Sequence, residues 1–258
     1  MTAMESFGRL VEIMDELRAK CPWDQKQTME SLRHLTIEET YELADAILEN
    51  DMDGIRKELG DILLHIVFYA KIASETDQFT LADVIDGICD KLVYRHPHVF
   101  GDVSVNDAED VKTNWENLKI KEGNKSILAG VPKSLPAMVK AYRVQDKARA
   151  VGFDWDIREQ VWDKIEEELG ELKEEIGKMD TEKMNDEFGD FLFSMVNAAR
   201  LYGIDPEAAL ERTNKKFINR FNYLEQHTIK AGRPLTSMTL DEMDVIWEEA
   251  KKVTGDSI

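Results

Sequence analysis

Apolar residues return every three or four positions along most of this chain, the spacing that gathers them on one face of an α-helix. Phe7, Leu10, Val11, Met14 and Leu17 predict an amphipathic helix over residues 5–19, closed near Pro22 because proline disfavours helix in the residue before it. Leu32, Leu35, Leu43, Ile47 and Leu48 predict a second over Ser31–Glu49. A broader stripe of Leu59, Ile62, Leu63, Ile66, Val67 and Ala70 predicts a third over 54–75, and a fourth over Leu81–Arg95 stops before Pro97. After a polar loop at 101–110, Val111–Lys121 reads as a short helix, and Gly123-Asn124, Gly130, Pro132 and Pro136 mark a linker. Helices are then expected at 137–149, 158–178 and 181–202, with Gly170 and Gly177 weakening the middle one on propensity grounds. Alternating β-branched runs are scarce, so sheet is expected at most as a short hairpin around His98–Val105. The expected class is all-α, with domains at 1–122 and 137–258 joined by a linker at 123–136.

The pattern repeats. Residues 38–63 and 167–192, an ungapped offset of 129, are identical at ten of 26 positions, including Leu43/Leu172, Ile47/Ile176, Asp51/Asp180 and Gly60/Gly189. Acidity alone would not reproduce apolar and glycine matches. The same offset places Glu38, Glu39, Glu42, Glu58 and Asp61 on Glu167, Glu168, Glu171, Glu187 and Asp190.

Residues three apart on a helix lie about 5–6 Å apart at Cβ. Glu39 with Glu42 and Glu58 with Asp61 therefore form carboxylate pairs, and the turn-like stretch at 49–54 folds their helices back so that the four can converge. Four negative charges converge favourably only around a cation, and an all-oxygen set suits a hard ion such as Mg²⁺, with Mn²⁺ as the alternative. The bland reading, solvated acidic faces, does not account for a register kept twice. Downstream, Lys91 and Arg95 are echoed by Lys216 and Arg220, and Trp115-Glu116 with Lys119 by Trp247-Glu248 with Lys251. Trp23-Asp24 recurs as Trp155-Asp156. His96 and His98 make a poor metal site, since no cysteine or third histidine stands near them.

Charge narrows the partners. The chain has 33 basic and 52 acidic residues, a net charge of −19, which repels nucleic acid polymers and anionic membranes. The run from Ile62 to Ala70 is too short to span a bilayer. Cys21 and Cys89 are the only cysteines and are expected as free thiols in a cytoplasmic protein.

The E-E-x-x-E and E-x-x-D motifs, Cys-Pro-Trp-Asp at 21–24, Arg-His-Pro-His-Val-Phe at 95–100, Val-Gly-Phe-Asp-Trp at 151–155 and Lys-Phe-x-x-Arg-Phe at 216–221 resemble tandem-domain MazG nucleoside triphosphate pyrophosphohydrolases. The acidic motif alone marks the wider all-α superfamily, and the other motifs narrow it. The resemblance covers nearly the whole chain. It implies two MazG-like helical bundles in an intertwined homodimer, and Mg²⁺-dependent cleavage of nucleoside triphosphates between the α and β phosphates. It further implies metal ligation by Glu168, Glu171, Glu187 and Asp190, with Glu39, Glu42, Glu58 and Asp61 as first-half equivalents. Lys216 and Arg220 would hold phosphates, Trp247 would lie near the nucleotide, and Glu167 and Glu38 would match the motif's leading acid, with a water-orienting or general-base role.

Within the repeat, Lys164 and Lys183 stand one turn before Glu168 and Glu187, whereas their equivalents Leu35 and Gly54 are uncharged. This makes the second half the expected principal catalyst, unless the lysines merely form i,i+4 pairs. The alternative to an enzyme is a non-catalytic acidic scaffold that binds Mg²⁺ or nucleotide. A di-iron bundle would need Glu-x-x-His motifs that the sequence does not place correctly.

Overall fold

The structure is a computed structural model that describes residues 1–107, 110–111, 114–115, 118, 126–155 and 157–253. It contains two compact units, Met1–Asn106 and Asp107–Ile258. Helices build both, and no strand occurs among the described residues. The expected helix at Val111–Lys121 lies largely outside those residues.

In the first unit, α1 (Ala3–Lys20) starts at a capping box in which Thr2 and Glu5 satisfy each other's backbone N–H groups. Thr28 and Ser31 do the same for α2 (Met29–Glu49). That helix ends at Asn50, in the left-handed conformation, and Asp51 caps α3 (Met52–Ser74) at once by accepting from Asp53 N. The two-residue turn folds α3 back on α2, as the 49–54 signal predicts. Met14 of α1, Leu32 of α2, and Val67 and Phe68 of α3 form the core, each such side chain contributing about 1.5–3 kcal/mol on burial. Thr36 and Tyr69 share a 2.7 Å hydrogen bond between α2 and α3.

Helix α4 (Leu81–Arg95) has no buried residue, and Val84, Ile85, Ile88, Leu92 and Val93 are exposed along it. The expected hairpin at His98–Val105 is not formed. Pro97 instead opens a single helical turn, α5 (Pro97–Phe100), because its fixed φ and missing N–H suit the first helical position.

The second unit contains α6 (Ala137–Arg149), α7 (Val161–Lys178), α8 (Thr181–Leu201), α9 (Pro206–Lys230) and α10 (Leu240–Val253). The hairpin recurs in register. Met179, left-handed at φ 59°, ends α7, and Asp180 caps α8 by accepting from Lys183 N. The two hairpins differ at Gly54, where a Cβ would lie 2.6 Å from Asp51 Oδ2 and 3.2 Å from Ala46 Cβ. A side chain there would have to displace the Asp51 carboxylate. Gly170 and Gly177 are accommodated within α7 despite their low propensity. Core residues Val161 and Ile165 of α7 pack with Ala198 of α8. At α10, Glu242 accepts from Thr239 N and from Arg233, and its carboxyl falls to about 2, with the Arg233 hydrogen bond as the largest cause. Both cysteines are free thiols, and no helix among the described residues is long and apolar enough to cross a membrane.

Candidate active site

In each half the repeated motif brings together three of the four expected carboxylates, with Glu42 and Asp190 outside the two groups. Carboxylate oxygens of Glu39, Glu58 and Asp61 lie within 4.8 Å of one another in the first unit, as do those of Glu168, Glu171 and Glu187 in the second. One ligand position in each pair of helices is buried, Glu58 on α3 and Glu168 on α7. Burial raises the Glu39 carboxyl above its usual range, helped by the charges of Asp61 and Glu42 and by Glu58. Burial likewise raises Glu187, followed by the charges of Glu171, Asp190, Glu168 and Glu175. The protein thus holds acids together against their mutual repulsion. Glu58 Oε2 is moreover buried without a hydrogen-bond partner among the described residues. Oxygen-only donors and repulsion in both clusters, with the unmatched buried oxygen in the first, fit a hard divalent cation.

Each cluster also holds one lysine. Lys164 donates to Glu167 at 2.9 Å and pairs with Glu168 at 2.7 Å, and those hydrogen bonds, first with Glu168 and then with Glu167, raise its pKa. This is the i,i+4 pairing set against a phosphate role above. In the first half the cation comes from an unexpected place. Lys57 donates to Glu58 at 2.9 Å and lies 4.0 Å from Glu42. Sequence reasoning passed over it because it sits beside Glu58 in the chain; its second-half counterpart is Asp186. Absence of charge at Leu35 and Gly54 therefore does not leave the first cluster without a cation. Lys183 makes no ion pair with Glu187 among the described residues.

The second unit adds a cavity of about 700 Å³ between α6, α7, α8 and the loop before α7. Lys164, Glu168 and Asp190 line one side, so the cavity opens onto the carboxylates. Its other walls are largely apolar, including Val144, Ala148, Phe153, Trp155 and Phe193. Polar groups enter through Gln145, Ser194, Asn197, Asp154 and Arg200. Arg200 is clamped by Asp154 through bonds of 3.0 and 2.5 Å and donates to Asn197 Oδ1 at 3.1 and 2.8 Å. Burial pushes the Asp154 carboxyl up, but bonding to Arg200 and Trp155 N and the charges of Arg200 and Arg149 outweigh it and hold it below its usual value. The pair ties the 150–155 segment, turned at Gly152 with φ 84°, to α8.

Of the residues singled out downstream, Lys183, Lys216, Arg220 and Trp247 do not line this cavity. Trp247 packs on Phe217, ring centroids 5.1 Å apart, and so joins α10 to α9. Gln145, Asn197 and Arg200 carried no recognisable motif, although all three lie on predicted helices. His96 binds the Leu92 carbonyl through Nδ1 at 2.6 Å, and neither it nor His98 joins a carboxylate cluster.

A duplicated helical hairpin with converging carboxylates defines a class, and the family comparison agrees with it. The chain belongs to the MazG nucleotide pyrophosphohydrolase domain family, whose model matches residues 27–100 and again 158–224. It is 40% identical over 258 residues to the nucleoside triphosphate pyrophosphohydrolase of Escherichia coli K12, covering 96% of this chain and 98% of that protein. It is 44% identical over 250 residues to the nucleoside triphosphate pyrophosphohydrolase/pyrophosphatase MazG of Thermotoga maritima, covering 95% of each. A Bacillus subtilis protein, the uncharacterized protein YabN, is 47% identical over 252 residues, 95% of this chain and 52% of its own length.

Proposed function

We propose that the second half of this chain hydrolyses nucleoside triphosphates between the α and β phosphates, releasing a nucleoside monophosphate and pyrophosphate. The observation that carries this reading is the cavity lined by Glu168, a member of the carboxylate cluster, and by Asp190. A nucleoside in the cavity leaves its phosphates at the acids. Glu168, Glu171, Glu187 and Asp190 would hold Mg²⁺, or Mn²⁺ in its place. The cation supplies neutralisation of phosphate charge and polarisation of the bond to be broken.

The protein's own groups supply the rest. Lys164 is poised to exchange its carboxylate partners for a phosphate oxygen, keeping its charge at the reacting end of the site. Glu167, which accepts from Lys164 and is otherwise exposed, orients the attacking water and takes its proton. Lys183, Lys216, Arg220 and Trp247 contact the substrate from outside the cavity. In the first half, Glu39, Glu42, Glu58 and Asp61 form an equivalent cation site without principal catalytic duty. The uncovered apolar face of α4 pairs with a second copy of the chain in a homodimer, and the free thiols suit a reducing cytoplasm.

Incubation with a nucleoside triphosphate and Mg²⁺, followed by phosphorus NMR, tests the activity. Monophosphate and pyrophosphate in equal amounts, abolished by a chelator, are expected. Orthophosphate as the primary product, or no turnover with any base, would sink the reading in favour of a binding scaffold.

A further inference from the structure

Helix α6 ends in a turn that sets two aromatic residues at the cavity. Gly152 takes the left-handed position, and the two bonds of a helix-closing motif follow: Gly152 N donates to the Arg149 carbonyl at 2.8 Å and Phe153 N to that of Ala148 at 3.1 Å. One residue on, the Asp154 carboxylate accepts from Arg200 at 3.0 and 2.5 Å and from Trp155 N at 3.0 Å. Phe153 and Trp155 are thus each fixed through their own N–H, with the Asp154–Arg200 pair anchoring the residue between them.

The backbone is anchored, yet the side chains are left bare. Phe153 is 82% and Trp155 40% exposed, and both line the cavity. A residue that lines a cavity while remaining this exposed stands at its mouth. An aromatic ring stabilises a fold by burial, so Phe153 contributes little to folding there and is available to a ligand. The Asp154–Arg200 pair and Gln145 are by contrast already committed. Arg200 is spent on Asp154 and Asn197, Gln145 Nε2 donates to the Phe193 carbonyl at 2.8 Å, and Gln145 Oε1 is closed off from solvent. Lys164, Glu168 and Asp190 line another side of the same cavity. A ligand that spans it is therefore charged at one end and flat and apolar at the other.

We propose that Phe153 and Trp155 bind the nucleotide by stacking on the face of its base, so that the second-half site prefers purine to pyrimidine nucleotides. This rests on the pyrophosphohydrolase reading above. Stacking tolerates different groups on the ring because every base has a π face, but the contact grows with ring area, and a purine offers two fused rings against one. Asp154 is the positioning residue, since its bonds to Arg200 and to Trp155 N fix the segment that carries both aromatics.

Ribose 5′-triphosphate, which has the phosphates and the sugar but no base, separates this proposal from the reading beneath it. For the full chain with Mg²⁺, kcat/KM is expected to be at least about fivefold higher for adenosine and guanosine triphosphates than for cytidine and uridine triphosphates. Phe153→Ala and, separately, Trp155→Leu are each expected to raise KM for the purine substrates by about tenfold, the scale of losing a stacked base. Either change should narrow the purine preference and cost ribose triphosphate much less, whereas Phe153→Tyr, which keeps a ring, should keep the preference. Damage to the fold or to the cation site would lower all substrates alike. Equal kcat/KM for purines and pyrimidines in the unaltered protein would overturn the proposal, and so would a folded Phe153→Ala protein whose loss is the same with and without a base. Either result, with turnover retained, leaves the hydrolysis standing and rejects only the stacking. Turnover of no triphosphate would reject the hydrolysis, and calorimetry with adenosine triphosphate and Mg²⁺ then decides the rest. Binding weakened about tenfold by Phe153→Ala would keep the stacking site, and binding that is absent or unweakened would reject it.

Discussion

The two halves share an acidic frame and differ in what stands behind it. At the 129-residue offset, His65 and Phe68 of α3 occupy the places of Ser194 and Asn197 of α8. Both first-half residues are buried, Phe68 at 2% exposure within the core with Met14, Leu32 and Val67. Burial pushes the His65 imidazole down against the pull of Asp61, so it sits there uncharged at neutral pH. The second-half residues are smaller or polar, and both line the cavity of about 700 Å³. Lys71 and Arg200 complete the contrast: Lys71 pairs with Asp15 at 2.6 Å on α1, while Arg200 holds Asp154 at the cavity wall. A duplicated motif can thus keep its cation-binding geometry while one copy trades substrate volume for packing. In the proposed reading, cation binding depends on the acids, whereas substrate binding depends on the residues one and two turns further along the second helix.

The largest effect that would break this comparison comes from the acids themselves. Glu187→Ala is expected to lower turnover by about a hundredfold or more at saturating Mg²⁺, at least the scale of losing a group that supports a metal ligand. Glu58→Ala, checked for folding by circular dichroism, should stay within a few-fold of the parent. Reversed sensitivities would exchange the roles of the halves.

Next comes the Asp154–Arg200 clamp of the second half. Asp154→Asn replaces a charge-assisted bidentate contact with a weaker one and should cost about 2 kcal/mol in denaturant unfolding at neutral pH. Because the folded carboxyl lies below the ordinary 3.8, its contribution is complete above that value and is lost as pH falls through the lowered folded pKa. The two proteins should therefore converge in stability in acid. A constant gap down the whole pH range would show that packing, not the ion pair, was lost.

A smaller effect, aimed at volume, comes from Asn197→Phe, which installs the first-half residue. It should raise KM by at least about tenfold through overpacking of the cavity, while Mn²⁺ binding to the acids, read by electron paramagnetic resonance, stays near the parent value. Smallest of all, Lys164→Ala should reduce kcat/KM by only a few-fold, since the lysine is partly solvated and screened, and Lys57→Ala should leave turnover unchanged. Equal losses from the two lysines would argue that both clusters work on substrate.

Much of this architecture was legible before any coordinates. Helical periodicity located the described helices from α1 to α4 and from α6 to α8 to within a few residues but delimited neither α9 nor α10, and the repeat grouped the carboxylates because i,i+3 spacing fixes a face whatever surrounds it. The hairpin expected at His98–Val105 failed because proline at the first position of a turn starts a helix as readily as it ends one. The lysine argument failed in part because it compared only aligned positions, whereas Lys57 reaches Glu42 across the α2–α3 hairpin. The cavity was not legible at all. It depends on the volumes at 194 and 197 and on Gln145 from a different helix, and no spacing rule encodes the space between three helices. Asp154 was noticed only as part of the Val-Gly-Phe-Asp-Trp motif at 151–155, since its partner Arg200 stands 46 residues away.

The central claim, one substrate site on two cation frames, is tested most directly by counting. Isothermal titration with a non-hydrolysable triphosphate bridged between its α and β phosphates, in the presence of Mg²⁺, should give one nucleotide per chain. That binding should survive Glu58→Ala and be lost or weakened at least about tenfold by Asn197→Phe. Two nucleotides per chain, or full affinity in the Asn197→Phe protein, would contradict the account.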